Sequence, residues 1–131
     1  GAAPAKSTGS SSMKLVLGGR FLEQTFTGNW HGHPFEGIGF IGYDNVRKEY
    51  TSTWMDNMST GMTQSTGKYN AATKTVSETG TFSCPFANDP NKWFRSEWKL
   101  TNKDNHTFTM YVKDSAGKEF KSMEIVYKRS K

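Results

Sequence analysis

Residues Gly18–Gly61, GGRFLEQTFTGNWHGHPFEGIGFIGYDNVRKEYTSTWMDNMSTG, decide how this chain folds. A glycine pair precedes Arg20, aromatic-rich runs follow, Tyr43-Asp44-Asn45 marks a turn, and Trp54-Met55-Asp56 ends the next run. Arg20–Trp30 sets Leu22, Gln24, Phe26 and Trp30 on one face and Phe21, Glu23 and Thr25 on the other. That two-residue period is a strand pattern. Phe35–Tyr43 groups Phe35, Gly37, Gly39, Ile41 and Tyr43 in the same way, and Glu49–Asp56 aligns Tyr50, Ser52, Trp54 and Asp56. Glycines at 37, 39 and 42 inside a strand point to a sharp bend or a close backbone approach, as at a barrel corner.

The same punctuation extends in both directions. Met13–Leu17 is a short apolar run, Gly61–Tyr69 a Thr/Ser/Gln-rich strand, and Asn70–Lys74 a hairpin turn. Thr75–Phe82 sets Val76, Glu78, Gly80 and Phe82 against threonines and serines. Cys84–Lys92, with its two prolines, reads as the longest loop. Trp93–Thr101 alternates Phe94, Ser96, Trp98 and Leu100 with Arg95, Glu97 and Lys99, and His106–Lys113 aligns Phe108, Met110 and Val112. Glu119–Lys128 closes the chain. No segment holds a helical period. About eight or nine strands at a spacing of about ten residues predict an all-β fold, an antiparallel up-and-down meander. Two bare edges would be exposed unless the sheet closed on itself, so a barrel is expected. Residues 1–11, rich in Ser, Gly, Pro and Ala, read as a flexible leader or linker, and 12–131 as one β-barrel domain.

Composition narrows the interior. Leu, Ile and Val number twelve against eighteen aromatics and six methionines, so rings and thioethers must build most of the core. The net charge is +5 with a pI near 9.4. The basic residues are dispersed apart from Lys118, Lys121, Lys128, Arg129 and Lys131, so no nucleic-acid partner is expected. A lone cysteine, Cys84, excludes an intrachain disulfide. No apolar run approaches the roughly 20 residues of a membrane span. A soluble protein is expected, cytoplasmic or exported with its signal peptide already removed from ahead of the leader.

At GGRFLEQ, PFEGIGFIGYDN and KEYTSTWMDNMSTG the chain closely resembles a bacterial family of unknown function, domain family 1579. The resemblance continues through Gly67-Lys68-Tyr69-Asn70 and Gly117–Ile125 and spans about Ser12 to Arg129. It implies a lipocalin-like, or calycin, barrel. Members begin with a further Trp-containing strand ahead of the Gly-Gly-Arg element. No activity is established for them, so no catalytic residue carries over.

Eight interior residues are expected to line a small-ligand pocket. Phe26, Trp30, Tyr50, Trp54, Trp98 and Met110 would supply apolar walls, and Arg20 and Asp56 polar contacts. Arg20 and Glu124 are alternatively read as a charge pair buried between apolar neighbours. His31 and His33, with Glu36 three positions on, form the one metal-like cluster. Cys84 lies in a loop with no neighbouring base and reads as an inert thiol, and no phosphate-loop, dinucleotide or nucleophile-elbow motif is present. The leading expectation is a non-enzymatic β-barrel that binds a small apolar or aromatic ligand and needs no cofactor. The alternatives are a metal-dependent enzyme using His31, His33 and Glu36, and a structural or interaction protein that self-associates without a ligand.

Overall fold

The structure, a computed structural model, describes residues 9–30, 32–85 and 88–128, with the backbone alone at Trp30. Nine strands follow in chain order: β1 (Gly9–Val16), β2 (Phe21–Trp30), β3 (His33–Asp44), β4 (Glu49–Asp56), β5 (Thr63–Asn70), β6 (Thr75–Cys84), β7 (Asp89–Asn102), β8 (Asn105–Lys113) and β9 (Glu119–Lys128). Each pairs antiparallel with the next, so the sheet order is the chain order. The expected meander is the observed one. No helix among the described residues is long and apolar enough to cross a membrane.

Short hairpins are built from side chains that mimic a backbone turn. Asp44 Oδ1 accepts from the Val46 and Arg47 amides at 2.9 and 3.0 Å, and Lys48 then takes the left-handed conformation, φ 58°. Asn70 repeats the device with Ala72 and Thr73, and Lys74 sits at φ 54°. Asp114 serves the last hairpin, where Gly117 takes φ 82° at no steric cost.

Register fixes which residues share a face. Gln24 lies opposite Met13 and Gly39, Gly39 opposite Trp54, and Ser52 opposite Ile41 and Ser65. Farther on, Glu78 lies opposite Gly67 and Ser96, and Ser96 opposite Met110. This set forms the concave face, because Gln24 of β2 reaches Tyr127 of β9 across it, Nε2 to Oη 3.2 Å. Curling on this scale needs backbones to approach closely. A Cβ on Gly80 would collide with the Gln64 carbonyl, and one on Gly67 with the Ser77 carbonyl, so both positions of the β5–β6 pair require glycine.

Three boundaries differ from the sequence expectation. Among the described residues no ladder joins β1 to β9; the sheet is a curled half-barrel, spanned between β2 and β9 by side chains. β1 begins at Gly9, inside the stretch expected as leader. The expected Cys84–Lys92 loop is shorter. A register shift after Phe82 lets Cys84 pair with Asp89, and Pro90, with no N–H to donate, is tolerated at the start of β7.

Among the described hydrophobic residues only Phe94 and Val112 are fully buried. The other deeply buried side chains are polar: Gln24, Ser65, Thr75, Glu78, Ser96 and Thr109. The concave wall is therefore rich in rings that keep part of their surface accessible.

Candidate functional site

The concave face brings together most of the residues expected to line a pocket. Phe26, Tyr50, Trp54, Asp56, Trp98 and Met110 all share it by register. Phe26 packs edge-on against Phe35 at 5.8 Å, and Tyr50 against Tyr43 at 5.0 Å. Trp98 centres the largest ring cluster, 4.7 Å from Phe108, 5.5 Å from His106 and 5.8 Å from Tyr127. His106 and Tyr127 stack nearly parallel at 4.5 Å. The side chain of Trp30 lies outside the described residues.

Trp54 and Asp56 form a unit that is architectural first. The indole lies across Gly37 and Gly39, and a Cβ on Gly39 would sit 2.8 Å from the ring. Gly37 would meet the same ring at closer range. Asp56 accepts from Trp54 Nε1 at 2.9 Å through Oδ2, and from the Met58 amide at 3.0 Å through Oδ1. Both carboxylate oxygens are engaged in pinning the ring and the following turn. Glycines opposite a bulky aromatic are a recognised means of curving a sheet while filling the space above it.

The charged candidates sit elsewhere. Arg20 lies in the exposed turn before β2 and donates to the Leu17 carbonyl at 3.4 Å. Glu124 is exposed and pairs with Lys121 at 2.8 Å. The buried Arg20–Glu124 pair does not form, because a bulge at the Met110/Tyr111 step shifts β9 and puts Glu124 opposite Thr109 on the convex face. His33 and Glu36 lie on opposite faces of β3 by strand alternation, and His31 falls outside the described residues. Among the described residues no group of three His, Cys, Asp or Glu is placed to hold a metal ion. Cys84 is half-buried and free.

The structure adds an acid that the sequence pattern grouped with Val76, Gly80 and Phe82 without assigning it a role. Glu78 is 1% exposed, the most deeply buried charged residue described. Ser52 Oγ donates to its two carboxyl oxygens at 2.8 and 2.9 Å, and among the described residues no cation pairs with it. Desolvation raises its pKa above the usual value; the Ser52 hydrogen bond opposes that and does not win. Alternation already put Glu78 on the strand face of Val76 and Phe82. Depth was invisible, since it depends on Gly67 and Gly80 letting neighbouring strands close over it.

The sequence pattern also placed His106 and Tyr127 in the last two strands. Burial lowers the His106 pKa, keeping the imidazole neutral at pH 7, and His106 Nε2 is buried with no hydrogen-bond partner. Burial likewise raises the Tyr127 pKa against the opposing hydrogen bond from Gln24.

The convex face is of a different character. Arg95 lies 4.1 Å over the Tyr111 ring and pairs with Glu97 and with Glu119, while Lys113 covers Trp93 at 4.3 Å. An open, polar hollow of about 360 Å³, lined by Asn70, Thr73, Thr75, Ser77, Glu97 and Lys99, lies on this side. It contains no ring and stands opposite the aromatic cluster in the sheet. Of the basic C-terminal residues, Lys121 is engaged by Glu124, and Arg129 and Lys131 lie outside the described residues.

A comparison with curated proteins finds no match. A family model described as a protein of unknown function, DUF1579, matches residues 1–129, and the chain belongs to that family.

Proposed function

We propose that this protein is a non-enzymatic binding module whose concave face takes one small apolar or aromatic molecule. The observation that carries the reading is the state of the concave wall. Trp54, Trp98, Tyr50, Phe26 and Met110 share one curved surface, and each keeps part of its area accessible because the half-barrel does not close over it. A concave surface lined by accessible rings, with polar side chains set among them, has the composition of a small-ligand site. Asp56 contributes by holding Trp54 in place, and Arg20 stands in the exposed turn before β2.

The test is native mass spectrometry of the protein purified without denaturant, paired with a titration by 8-anilinonaphthalene-1-sulfonate read through tryptophan fluorescence. A retained small molecule, or saturable 1:1 uptake of the dye weakened about tenfold or more in Trp98→Ala, supports the reading; at roughly 1.4 kcal/mol per decade this is the loss of one ring contact. An empty protein with no saturable uptake overturns it.

One observation favours a second reading, self-association. Among the described residues β1 and β9 have no strand paired on their outer sides, and Leu15 and Val126 on them are each 68% exposed. Sedimentation velocity across a hundredfold concentration range decides it, and a constant monomer value removes this reading.

A further inference from the structure

Three neutral polar side chains meet where β2 faces β9, and each has hydrogen-bonding capacity to spare. Gln24 Nε2 donates both of its hydrogens, to Ser11 Oγ at 3.1 Å and to Tyr127 Oη at 3.2 Å. Its Oε1 takes no hydrogen bond from the described residues. Turning the amide over lets the two hydroxyls donate to Oε1 instead, which leaves the NH2 group over. Either way one end of a 4%-exposed amide is unspent. Behind Tyr127 stands His106, stacked on the phenol ring, with Nε2 buried and unpartnered. Buried polar groups are nearly always satisfied in folded proteins, so the unpartnered His106 Nε2 calls for a partner, and the spare capacity of Gln24 and Tyr127 lies on the same side-chain chain.

The surroundings restrict that partner. By register Met13 lies beside Gln24, Leu100 beside His106, and Ile125 beside Phe108; Leu22 and Phe26 flank Gln24 along β2. None of these carries a charge, and the inward acid Glu78 is engaged by Ser52. A full charge placed here would lose its hydration with nothing opposite to compensate. A flat molecule, by contrast, finds His106 and Tyr127 stacked nearly parallel, with Trp98 inclined 28° to Tyr127 beside them.

We propose that Gln24, Tyr127 and His106 form the polar end of the ligand trough and select a neutral, planar aromatic molecule bearing an amide-like edge, a donor beside an acceptor. The edge pairs with the free end of the Gln24 amide and the Tyr127 hydroxyl, its remaining donor or acceptor meets His106 Nε2, and its ring lies along the Trp98 cluster. This rests on the concave face being a ligand site, and it adds the chemistry of what is bound.

The test uses the full chain and three probes of one shape: naphthalene, naphthalene-2-carboxamide and naphthalene-2-sulfonate. Affinities are read by tryptophan fluorescence and the His106 ring signals by NMR. The expected result is that the carboxamide binds about tenfold or more tighter than naphthalene, as a site built to hydrogen-bond its ligand discriminates against the analogue lacking the group. The sulfonate gains nothing over naphthalene, and His106 shifts with the carboxamide alone. Tyr127→Phe, which removes one oxygen and keeps the stack, brings the carboxamide preference to within about threefold while naphthalene affinity holds; Gln24→Leu does the same. Should Gln24→Leu fail to fold, Tyr127→Phe and the wild-type comparison still decide. Equal binding of carboxamide and naphthalene, or a preference for the sulfonate, overturns the polar end and leaves the trough standing. Absence of saturable binding by all three removes both.

Discussion

Ser52 and Glu78, on strands separated by β5, share one hydroxyl hydrogen between two carboxyl oxygens at 2.8 and 2.9 Å. The serine supports the acid, yet burial dominates, and the folded-state pKa lies above the ordinary value. When the folded form holds its proton more tightly than the unfolded chain, stability is greatest at low pH. It falls as pH rises through the unfolded pKa, 4.5 on the reference scale, and levels off above the folded pKa. Glu78→Gln keeps the shape and removes the titration. Urea midpoints between pH 4 and pH 8 should show the wild type losing stability relative to this variant as pH rises; parallel curves would mean that Glu78 is not buried as described.

Trp54 and Gly37 occupy one another's space, and a methyl at position 37 would meet the indole. Gly37→Ala is expected to cost about 1–3 kcal/mol as an overpacked site. In a Trp54→Ala background the same change should cost far less, a coupling of about 1 kcal/mol or more in a double-mutant cycle. Additive losses would mean that the ring does not lie on the glycine.

Lys48 and Lys74 end their turns in the left-handed region, at φ 58° and 54°, where a Cβ is unfavourable. Lys48→Gly and Lys74→Gly should each raise stability by about 0.5–1 kcal/mol, since the strain removed exceeds the added freedom of the unfolded chain. Gly117→Ala, at φ 82°, should lower it by about 1 kcal/mol. Denaturant midpoints of the three variants check the set together.

The strands were legible because side-chain direction alternates regardless of context. Leu22, Gln24 and Phe26, or Tyr50, Ser52 and Trp54, face together in the sequence pattern and in the sheet alike. What was hidden depends on departures from alternation. The bulge in β9 reversed Glu124, and the closing of strands over Gly67 and Gly80 buried Glu78. The proline-containing stretch after Cys84 looked like loop because a proline inside a strand run lowers its strand character, yet strand edges accept one. The Gln24–Tyr127 contact joins residues 103 positions apart, and no local pattern encodes such a meeting. The dense Trp and Gly content of Gly18–Gly61 marked curvature more than chemistry.

Because each of the described strands pairs only with its chain neighbours, the molecule can assemble as successive hairpins, each closing a short loop. Such local order shortens the search for the native topology and leaves no early step waiting on the chain ends. Protection against amide exchange should therefore be graded across the sheet, highest in β6 and β7 around Phe94 and lowest in β1 and β9, whose outer amides have no ladder partner among the described residues. The margins breathe while the middle holds. Tyr127, on one margin, is the hand that the far end of the sheet extends to β2, so a ligand lodged beside it would slow exchange along β9 and β2 together.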